Sequence, residues 1–360
     1  MNQAPLRRAV LLVTAVLLGL LGCAAPAYAH GADAPDGTDY RTTVTGITPA
    51  RPGLTARAVE AGARLELVNH SDRDVEVIGY SGEPYLRVGP GGVYENVRSP
   101  ATYLNRTLAG DTALPATADP AAAPQWRRIG DDRRVRWHDQ RALWRESGVP
   151  APVAADPNRE HRVREWSVAL RDGDEPVELR GTLDWVPPPD PYPWWVAVTL
   201  GALLVGAAGL LPAGTRALRG VGAVLALGGA AAVTLVLGRE WDAGAQGVGG
   251  LLLGLAAGQL WPLLTGLGAV AAGGWALARR PAADFVLALA GACLALFVGV
   301  ANLTVLSRAV APVPWSGGTA RVLLTVVLVA GVGAVAAGLL RLHAAARAAA
   351  PRPAAEPART

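Results

Sequence analysis

The stretch "VPPPDPYPWW" (186–195) divides the chain into two parts of different chemistry. Its prolines predict a stiff spacer over 187–193, because closely spaced prolines favour an extended backbone. The paired Trp194 and Trp195 fit the aromatic belt that forms where a membrane meets water. Polar sequence rich in turn residues precedes the spacer, and long apolar runs follow it. We therefore predict an exported domain joined to a membrane-embedded one.

Five apolar segments follow the spacer, and each is long enough to cross about 30 Å of hydrocarbon. They lie at 194–212, 218–238, 248–277, 283–306 and 319–341. The third is too long for one upright span and too short for two, and it contains Pro262, so we interpret it as one kinked or tilted helix. Residues 194–341 are thus predicted to form five transmembrane helices, followed by a cytoplasmic tail at 342–360.

The arginines predict the orientation of these spans. If the domain before the spacer is outside, the inner loops and the inner tail carry Arg216, Arg219, Arg279, Arg280, Arg341, Arg347, Arg352 and Arg359. The outer loops then carry Arg239, Arg308 and, at a helix edge, Arg321. Such an excess of positive charge on one side is typical of the cytoplasmic side. We predict a multi-pass protein of the cell membrane whose N-terminal domain is extracellular and whose C-terminus is cytoplasmic.

Residues 1–29 have the organisation of a secretory signal peptide. Arg7 and Arg8 precede an apolar run at 9–22, and Ala27-Tyr28-Ala29 forms a cleavage signal of small residues. Cleavage after Ala29 makes His30 the first residue of the mature chain. The stretch "LLGC" (20–23) also approximates a lipoprotein box, which would be cleaved before Cys23 instead. The choice between the two decides whether His30 carries a free amine.

Alternating apolar and polar residues predict strands in the extracellular domain, residues 30–186. The alternation is present at 64–70, 74–80, 85–88, 164–170 and 177–186. Short strands between turn signals such as "RDGDEP" (171–176) favour an antiparallel β-sandwich. The predicted fold class is therefore an exterior all-β, antiparallel sandwich-like domain followed by a five-helix transmembrane α bundle.

The strand pattern stops near 106–160, where we predict a long loop. Within it, Trp137 and Trp144 are seven residues apart, a spacing that places two side chains on one helical face and predicts a short helix. The tryptophans and arginines at 126–145 form either a recognition surface or a cluster that packs this segment onto its own domain. We favour packing.

A terminal histidine chelates a metal through its α-amine and a ring nitrogen, and a second imidazole completes the arrangement called a histidine brace. Nitrogen ligands suit Cu(II), and the exported domain has no Met or Cys to favour Cu(I). His70, His138 and His161 are the available second ligands, and we choose His138 because Asp139 adjoins it. The predicted metal residues are His30 and His138. The alternative is that His30 simply begins the chain and that the others are surface histidines.

The membrane segments carry one further pattern. Gly250, Gly254 and Gly258 recur every four residues, which predicts a face for close helix packing. Polar residues in the spans are few, and the ones of interest are Gln259, Asn302 and Thr304. No Asp, Glu, Lys or Arg lies near the centre of a span, which argues against ion-coupled transport.

Composition and motifs exclude several functional classes. The formal net charge of +4 is small for 360 residues, so nucleic-acid binding would need a local basic patch, and we predict no nucleic-acid partner. The chain has no nucleophile elbow, P-loop, H-E-x-x-H or dinucleotide fingerprint, so no catalytic residue is predicted. Its two cysteines, Cys23 and Cys293, lie in the leader and in a membrane segment, which leaves the exported domain without a disulfide framework.

The complete layout resembles membrane proteins of GC-rich Gram-positive bacteria that combine a signal peptide, an exterior β domain and a C-terminal helical bundle. The resemblance includes "GYSGEPYLRVGPGGVYENVRSPATYLNRTL" (79–108) and "DWVPPP" (184–189), and it implies an architecture without an activity. The leader and His30 alone resemble exported copper-resistance proteins of the Cop type.

We predict a non-enzymatic protein of the cell envelope, embedded in the lipid bilayer, whose exterior β domain binds a ligand, Cu(II) or an envelope protein partner. The alternative is a small permease or transporter subunit with an accessory exterior domain.

Overall fold

The protein has a β domain followed by a bundle of apolar helices, which confirms the predicted fold class. The computed structural model describes residues 37–212 and 215–349, and in these residues ten strands form two antiparallel sheets. The strands are β1 (Tyr40–Thr48), β2 (Leu54–Val59), β3 (Arg64–Asn69), β4 (Val75–Ile78), β5 (Pro84–Gly89), β6 (Gly92–Asn96), β7 (Trp126–Gly130), β8 (Arg134–Trp137), β9 (His161–Asp172) and β10 (Glu175–Trp185). One sheet has the order β1-β10-β9-β4-β5-β6-β7 and the other has the order β2-β3-β8.

The two sheets enclose one apolar core, as the period-two alternation predicts. Along β9, Trp166, Val168 and Leu170 are buried while the residues between them are exposed. They join a core cluster that includes Leu65 and Leu67 of the small sheet. The five stretches that we predicted to be strands correspond to β3, β4, β5, β9 and β10.

The segment near 106–160 differs from the prediction, because it contains two strands. β7 pairs with β6, and β8 pairs with β3, where Trp137 lies opposite Leu65. The predicted short helix over this segment is wrong: Trp137 ends β8, and Trp144 lies beyond a 3-10 turn at Gln140–Ala142. Trp144 stacks on Tyr40 with ring centroids 6.3 Å apart. This contact packs the segment onto its own domain. The short helices of the β domain are α1 (Ala101–Leu104) and α2 (Ala151–Ala155).

The C-terminal region is helical, and five of its helices in the described residues are long and apolar enough to cross a membrane. This is compatible with an integral membrane protein. The helices are α3 (Tyr192–Ala207), α4 (Ala217–Asp242), α5 (Gly247–Gly258), α6 (Leu260–Leu277), α7 (Ala283–Leu294) and α8 (Gly317–Ala348). A π-helical turn and a 3-10 segment extend α7 to Leu306.

The third apolar segment is two helices, not the single kinked helix that we predicted. The backbone leaves the helical conformation at Gln259, with φ −121° and ψ 14°, so α5 ends at Gly258 and α6 begins at Leu260. Pro262 therefore lies in the first turn of α6, where its missing N–H removes no helical hydrogen bond. α5 has only 12 residues, too few to span a membrane, whereas α6 is one of the five spans.

The β domain is bonded to one end of the bundle, where α4 ends and α8 begins. Thr38 and Val310 exchange two backbone hydrogen bonds of 3.0 and 2.8 Å. Next to them, the buried Asp39 carboxylate accepts hydrogen bonds from the Arg308 guanidinium and from the Ala309 N–H. The loop that precedes α8 is thereby attached to the strand edge at the start of β1.

A second attachment involves the small sheet. Arg134 and Arg136 of β8 donate hydrogen bonds to the carbonyl oxygens of Gly244 and Ala243, just after α4. The sequence explains this geometry, because the alternation in β8 directs Val135 and Trp137 into the core and the two arginines towards the bundle. Glu66 lies opposite Arg136 on β3 and within 4.0 Å of both guanidinium groups.

Candidate ligand site between the β domain and the membrane helices

A cavity of about 1090 Å³ lies between the β domain and the adjoining ends of the helices. The β domain contributes Glu60, Asn105 and Arg134 to its wall, among other residues. The helical part contributes Arg239 and Glu240 of α4 and one face of α5. The volume is slightly above the range of about 300–1,000 Å³ that is usual for small-molecule sites. Neither part of the protein forms this cavity alone.

Glu60 reaches the cavity from a strained turn that follows β2. Glu60 and Ala61 both have φ of 55°, in the left-handed region that non-glycine residues rarely occupy, and Gly62 follows with φ 90°. Such a conformation costs about 1–3 kcal/mol per residue and is concentrated at functional sites. The Ala61 N–H donates a hydrogen bond of 2.9 Å to Asp242 Oδ2, at the end of α4. A membrane-spanning helix therefore holds the turn that positions Glu60.

Only one of the two Glu60 carboxylate oxygens has a hydrogen-bond partner among the described residues. Its Oε1 accepts a hydrogen bond of 3.0 Å from Arg64 Nη1. Its Oε2 is buried and has no hydrogen-bond partner within residues 37–212 and 215–349. Since the residue as a whole is 8% exposed, water has little access to this oxygen. Glu60 thus carries an unused acceptor in the wall of the cavity.

His138, which we predicted to bind metal, also lies at this wall and is 1% exposed. Its Nε2 accepts a hydrogen bond of 3.2 Å from Arg64 Nε, which places the ring proton on Nδ1. Nδ1 then donates to the Ala63 carbonyl oxygen at 2.8 Å. Both ring nitrogens are engaged, and a metal at Nε2 would have to displace Arg64.

The other candidate metal ligands give no further support for a metal site. His30 lies outside the described residues. His70 is exposed, and the His161 ring lies 2.6 Å from the Asp156 carbonyl oxygen. In the described part of the chain, no group of three or more His, Cys, Asp or Glu side chains is arranged to hold a metal ion. Copper binding stays a prediction.

Glu240 is the acidic residue that the described helices contribute to the cavity wall, and it lies against one of the recurring glycines of α5. A Cβ on Gly254 would overlap the Glu240 carboxylate, whereas one on Gly258 would lie 3.9 Å from Oε1. A Cβ on Gly250 would meet only a backbone carbon of Ala245, at 4.0 Å. Of the three glycines, Gly254 alone makes a close approach, to a side chain of α4, so the predicted packing face reduces to this one contact.

Asn105 lies at the wall formed by the β domain and joins a network of buried phenols. Its Oδ1 accepts a hydrogen bond from the Tyr80 hydroxyl, which in turn accepts one of 3.0 Å from the Gln140 N–H. The Tyr85 hydroxyl is a second hydrogen-bond partner of the same side chain, and Asn105 as a whole is 6% exposed. Burial raises the pKa of the neighbouring Tyr85 phenol far above its usual value, so Tyr85 stays neutral.

The charges around the cavity almost balance. Among the described residues its wall holds five arginines and four carboxylates: Arg64, Arg106, Arg134, Arg136, Arg239, Glu60, Glu95, Asp132 and Glu240. Arg239 Nη1 donates a hydrogen bond of 2.6 Å to Asn302 Oδ1, which links the cavity floor to the irregular end of α7. The cavity therefore offers both hydrogen-bond donors and acceptors and has no strong excess of one charge.

Sequence reasoning missed Glu60, Asn105 and Glu240. The signal for Glu240 was available, since "GREWD" (238–242) places charged residues directly at the end of an apolar run. Glu60 and Asn105 gave no local signal, because their importance depends on tertiary contacts.

No protein-family model, curated protein or solved structure matches the chain. Its function must therefore be argued from the site itself.

Proposed function

We propose that the protein is an integral membrane protein of the cell envelope that binds a small ligand between its exterior β domain and its helical bundle. The observation that carries this proposal is the buried, unpartnered Oε2 of Glu60, a residue that lines the cavity. Leaving a buried polar group unsatisfied costs about 1–3 kcal/mol. A ligand that donates a hydrogen bond to this oxygen recovers the cost, which gives it affinity.

The strained turn at Glu60 supports the same proposal. The fold maintains two adjacent residues in the left-handed region and anchors them to a membrane helix through Asp242. Functional sites commonly retain strain of this kind, because it fixes a reacting or binding group in place. The permease alternative stays a prediction.

The binding test uses a matched pair of glycine substitutions. Gly250 is at the cavity, and a Cβ there meets no close atom, so Gly250→Leu adds a side chain to the cavity without a backbone clash. Gly268 is exposed on α6 and also has free space around its Cβ position. Both changes replace a helical glycine with leucine, but only the first reduces the cavity.

Native mass spectrometry of the full-length protein, purified in mild detergent, measures whether a small molecule is bound. We expect a bound small molecule on the wild type and on Gly268→Leu, and its loss from Gly250→Leu. The same adducts on all three proteins, or none on any of them, would contradict the proposed site.

The proposed orientation, with the β domain outside and the C-terminus in the cytoplasm, has its own test. Protease added to intact cells should remove the β domain and spare a tag placed after Thr360. Cleavage of that tag from outside would overturn the orientation.

A further inference from the structure

Positive charge is concentrated at the end of the bundle that is remote from the β domain. α4 ends and α8 begins at the β domain, so the start of α4 and the end of α8 form the other end, which we call the far end. The end of α6 and the start of α7 lie there as well, because α6 begins at the cavity. The arginines described at the far end are Arg216, Arg219, Arg279, Arg280, Arg341 and Arg347. This end of the bundle therefore attracts anions.

Close packing between α4 and α6 brings four of these arginines to one place. A Cβ on Gly222 of α4 would lie 3.1 Å from the Cβ of Ala276, in the last turn of α6. Arg219 is three residues before Gly222, about one helical turn, and Arg280 is four residues after Ala276. Both arginines are exposed, as are their neighbours in the same two segments. We call the four residues at this helix crossing the basic cluster: Arg216, Arg219, Arg279 and Arg280.

The backbone fixes one side of the basic cluster in an unusual turn. Arg279 has φ of 53°, in the left-handed region that glycine usually occupies after the end of a helix. The Arg279 and Arg280 N–H groups donate hydrogen bonds of 3.0 and 3.3 Å to the carbonyl oxygens of Ala276 and Trp275, the pattern of a Schellman motif. Glycine would adopt this turn without strain, and strained residues are concentrated at functional sites. A role for the side chain explains why an arginine is present instead.

The protein does not balance this charge within its described residues. Asp284 is the one acidic residue that the structure describes at the far end, and its Oδ1 accepts a hydrogen bond of 2.7 Å from Arg341 Nε. A single carboxylate that is already bonded to an arginine of α8 cannot also neutralise the four exposed arginines of the basic cluster. At the β domain, by contrast, Arg308 is paired with the buried Asp39 carboxylate. The basic cluster therefore has the charge to bind an external anion.

The basic cluster lies at the depth where membrane lipids carry their phosphates. Arg219 is the second residue of a candidate span that begins at Leu218, and Arg279 is two residues beyond the span that ends at Leu277. Trp275 is in the last turn of α6 and is 47% exposed, and tryptophan at the end of a span is typical of the membrane–water interface. This depth favours a lipid phosphate over a soluble one.

We infer that the basic cluster is a binding site for the head group of an anionic membrane phospholipid. Guanidinium groups form charge-assisted and often bidentate hydrogen bonds with phosphate, and basic pockets between spanning helices suit anionic head groups. In the proposed orientation the lipid belongs to the cytoplasmic leaflet. This site is separate from the cavity, which lies at the opposite end of the bundle, and it does not depend on the proposed ligand there.

The test compares lipids that differ only in the head group. Full-length protein, delipidated in detergent, is titrated with phosphatidylglycerol and phosphatidylcholine of the same chain length, and bound lipid is measured by native mass spectrometry. Both lipids have a phosphate, but the quaternary ammonium of phosphatidylcholine cancels its charge and is repelled by arginines. We expect phosphatidylglycerol to bind about tenfold more tightly at low salt, and the preference to decrease as salt screens the charges.

Three double variants connect this preference to the basic cluster. Arg219→Gln with Arg280→Gln should reduce the affinity for phosphatidylglycerol about tenfold and change that for phosphatidylcholine little. Arg219→Lys with Arg280→Lys keeps both charges and should retain most of the affinity. Arg159→Gln with Arg180→Gln removes the same charge from exposed residues of the β domain and should leave binding unaltered. Thermal unfolding of each variant shows that it is folded.

Equal affinity of the wild type for the two lipids would overturn the inference. Unchanged phosphatidylglycerol binding in the glutamine variant of the basic cluster would overturn it as well, and so would an equal loss in the β-domain control, which would indicate a general effect of net charge. Soluble glycerophosphoglycerol that binds as tightly as the lipid would overturn the lipid part and identify a soluble phosphate ligand. None of these results affects the cavity, so the proposed function is tested separately.

Discussion

Asp242, the last residue of α4, accepts a hydrogen bond of 2.9 Å from the backbone N–H of Ala61, which is 181 residues earlier in the chain. This bond joins a membrane-spanning helix to a turn that has the left-handed conformation. It makes the position of Glu60, the adjacent residue, depend on the bundle as well as on the β domain.

Removing this acceptor should destabilise the protein. Asp242→Ala leaves the Ala61 N–H without its partner, and we expect a loss of about 1–3 kcal/mol in the free energy of unfolding. Asp242→Asn keeps an acceptor oxygen and should recover part of the loss. Glu165→Ala, at a side chain that is 83% exposed, should change stability by less than about 0.5 kcal/mol. Thermal unfolding in detergent measures all three, and equal midpoints for Asp242→Ala and wild type would show that the bond is unimportant.

His138 should act as a structural residue. His138→Ala removes the partner of both Arg64 Nε and the Ala63 carbonyl oxygen, and each group left unpaired costs about 1–3 kcal/mol. The exposed His70 makes His70→Ala the matched control, with little expected change. Chemical unfolding of the full-length protein compares the two. A stable His138→Ala variant that has lost only Cu(II) affinity would indicate a metal ligand instead.

Stability should fall at alkaline pH because of Tyr80 and Tyr85. Burial raises the pKa of both phenols above their usual value near 10, so the folded protein keeps protons that the unfolded chain releases. This contribution is complete below about pH 10 and is lost as the pH rises above it. We expect Tyr80→Phe combined with Tyr85→Phe to make the loss of stability above about pH 10 less steep. Tyr192→Phe, at a residue that is 76% exposed, is the control, and identical slopes for both variants would contradict this explanation.

The copper prediction depends on the mature N-terminus. If cleavage follows Ala29, the His30 amine and imidazole chelate Cu(II), and both must be deprotonated, so affinity should decrease as the pH falls through about 6.5. One extra residue before His30 removes the amine from its chelating position and should weaken binding. Equal Cu(II) affinity of the mature full-length protein with and without the extension would show that His30 simply begins the chain.

The fold was predictable because its signals are local. Alternation along β9 and β10 and the length of the apolar segments each depend on neighbouring residues, and both are visible in the sequence. The wrong prediction of a helix at β8 also came from a local signal. Trp137 and Trp144 are at a helical spacing, yet Val135 and Trp137 also alternate with Arg136, and pairing with β3 decided between the two patterns. Only the tertiary structure contains that pairing.

The site was largely unpredictable for the opposite reason. Glu60 and Glu240 are far apart in the chain and come together only when the β domain docks on α4. The glycines of α5 were visible, but their usual meaning is helix packing, and only the structure shows that Gly254 lies against the Glu240 carboxylate. Buried atoms without partners cannot be recognised before the fold is known.

An electron cryomicroscopy map of the full-length protein in lipid nanodiscs would show whether the β domain and the bundle hold a ligand between them. We expect density for a bound molecule in the cavity beside Glu60 in the wild type, and its loss in Gly250→Leu. A wild-type cavity without such density, or density that Gly250→Leu leaves unchanged, would overturn the proposed site.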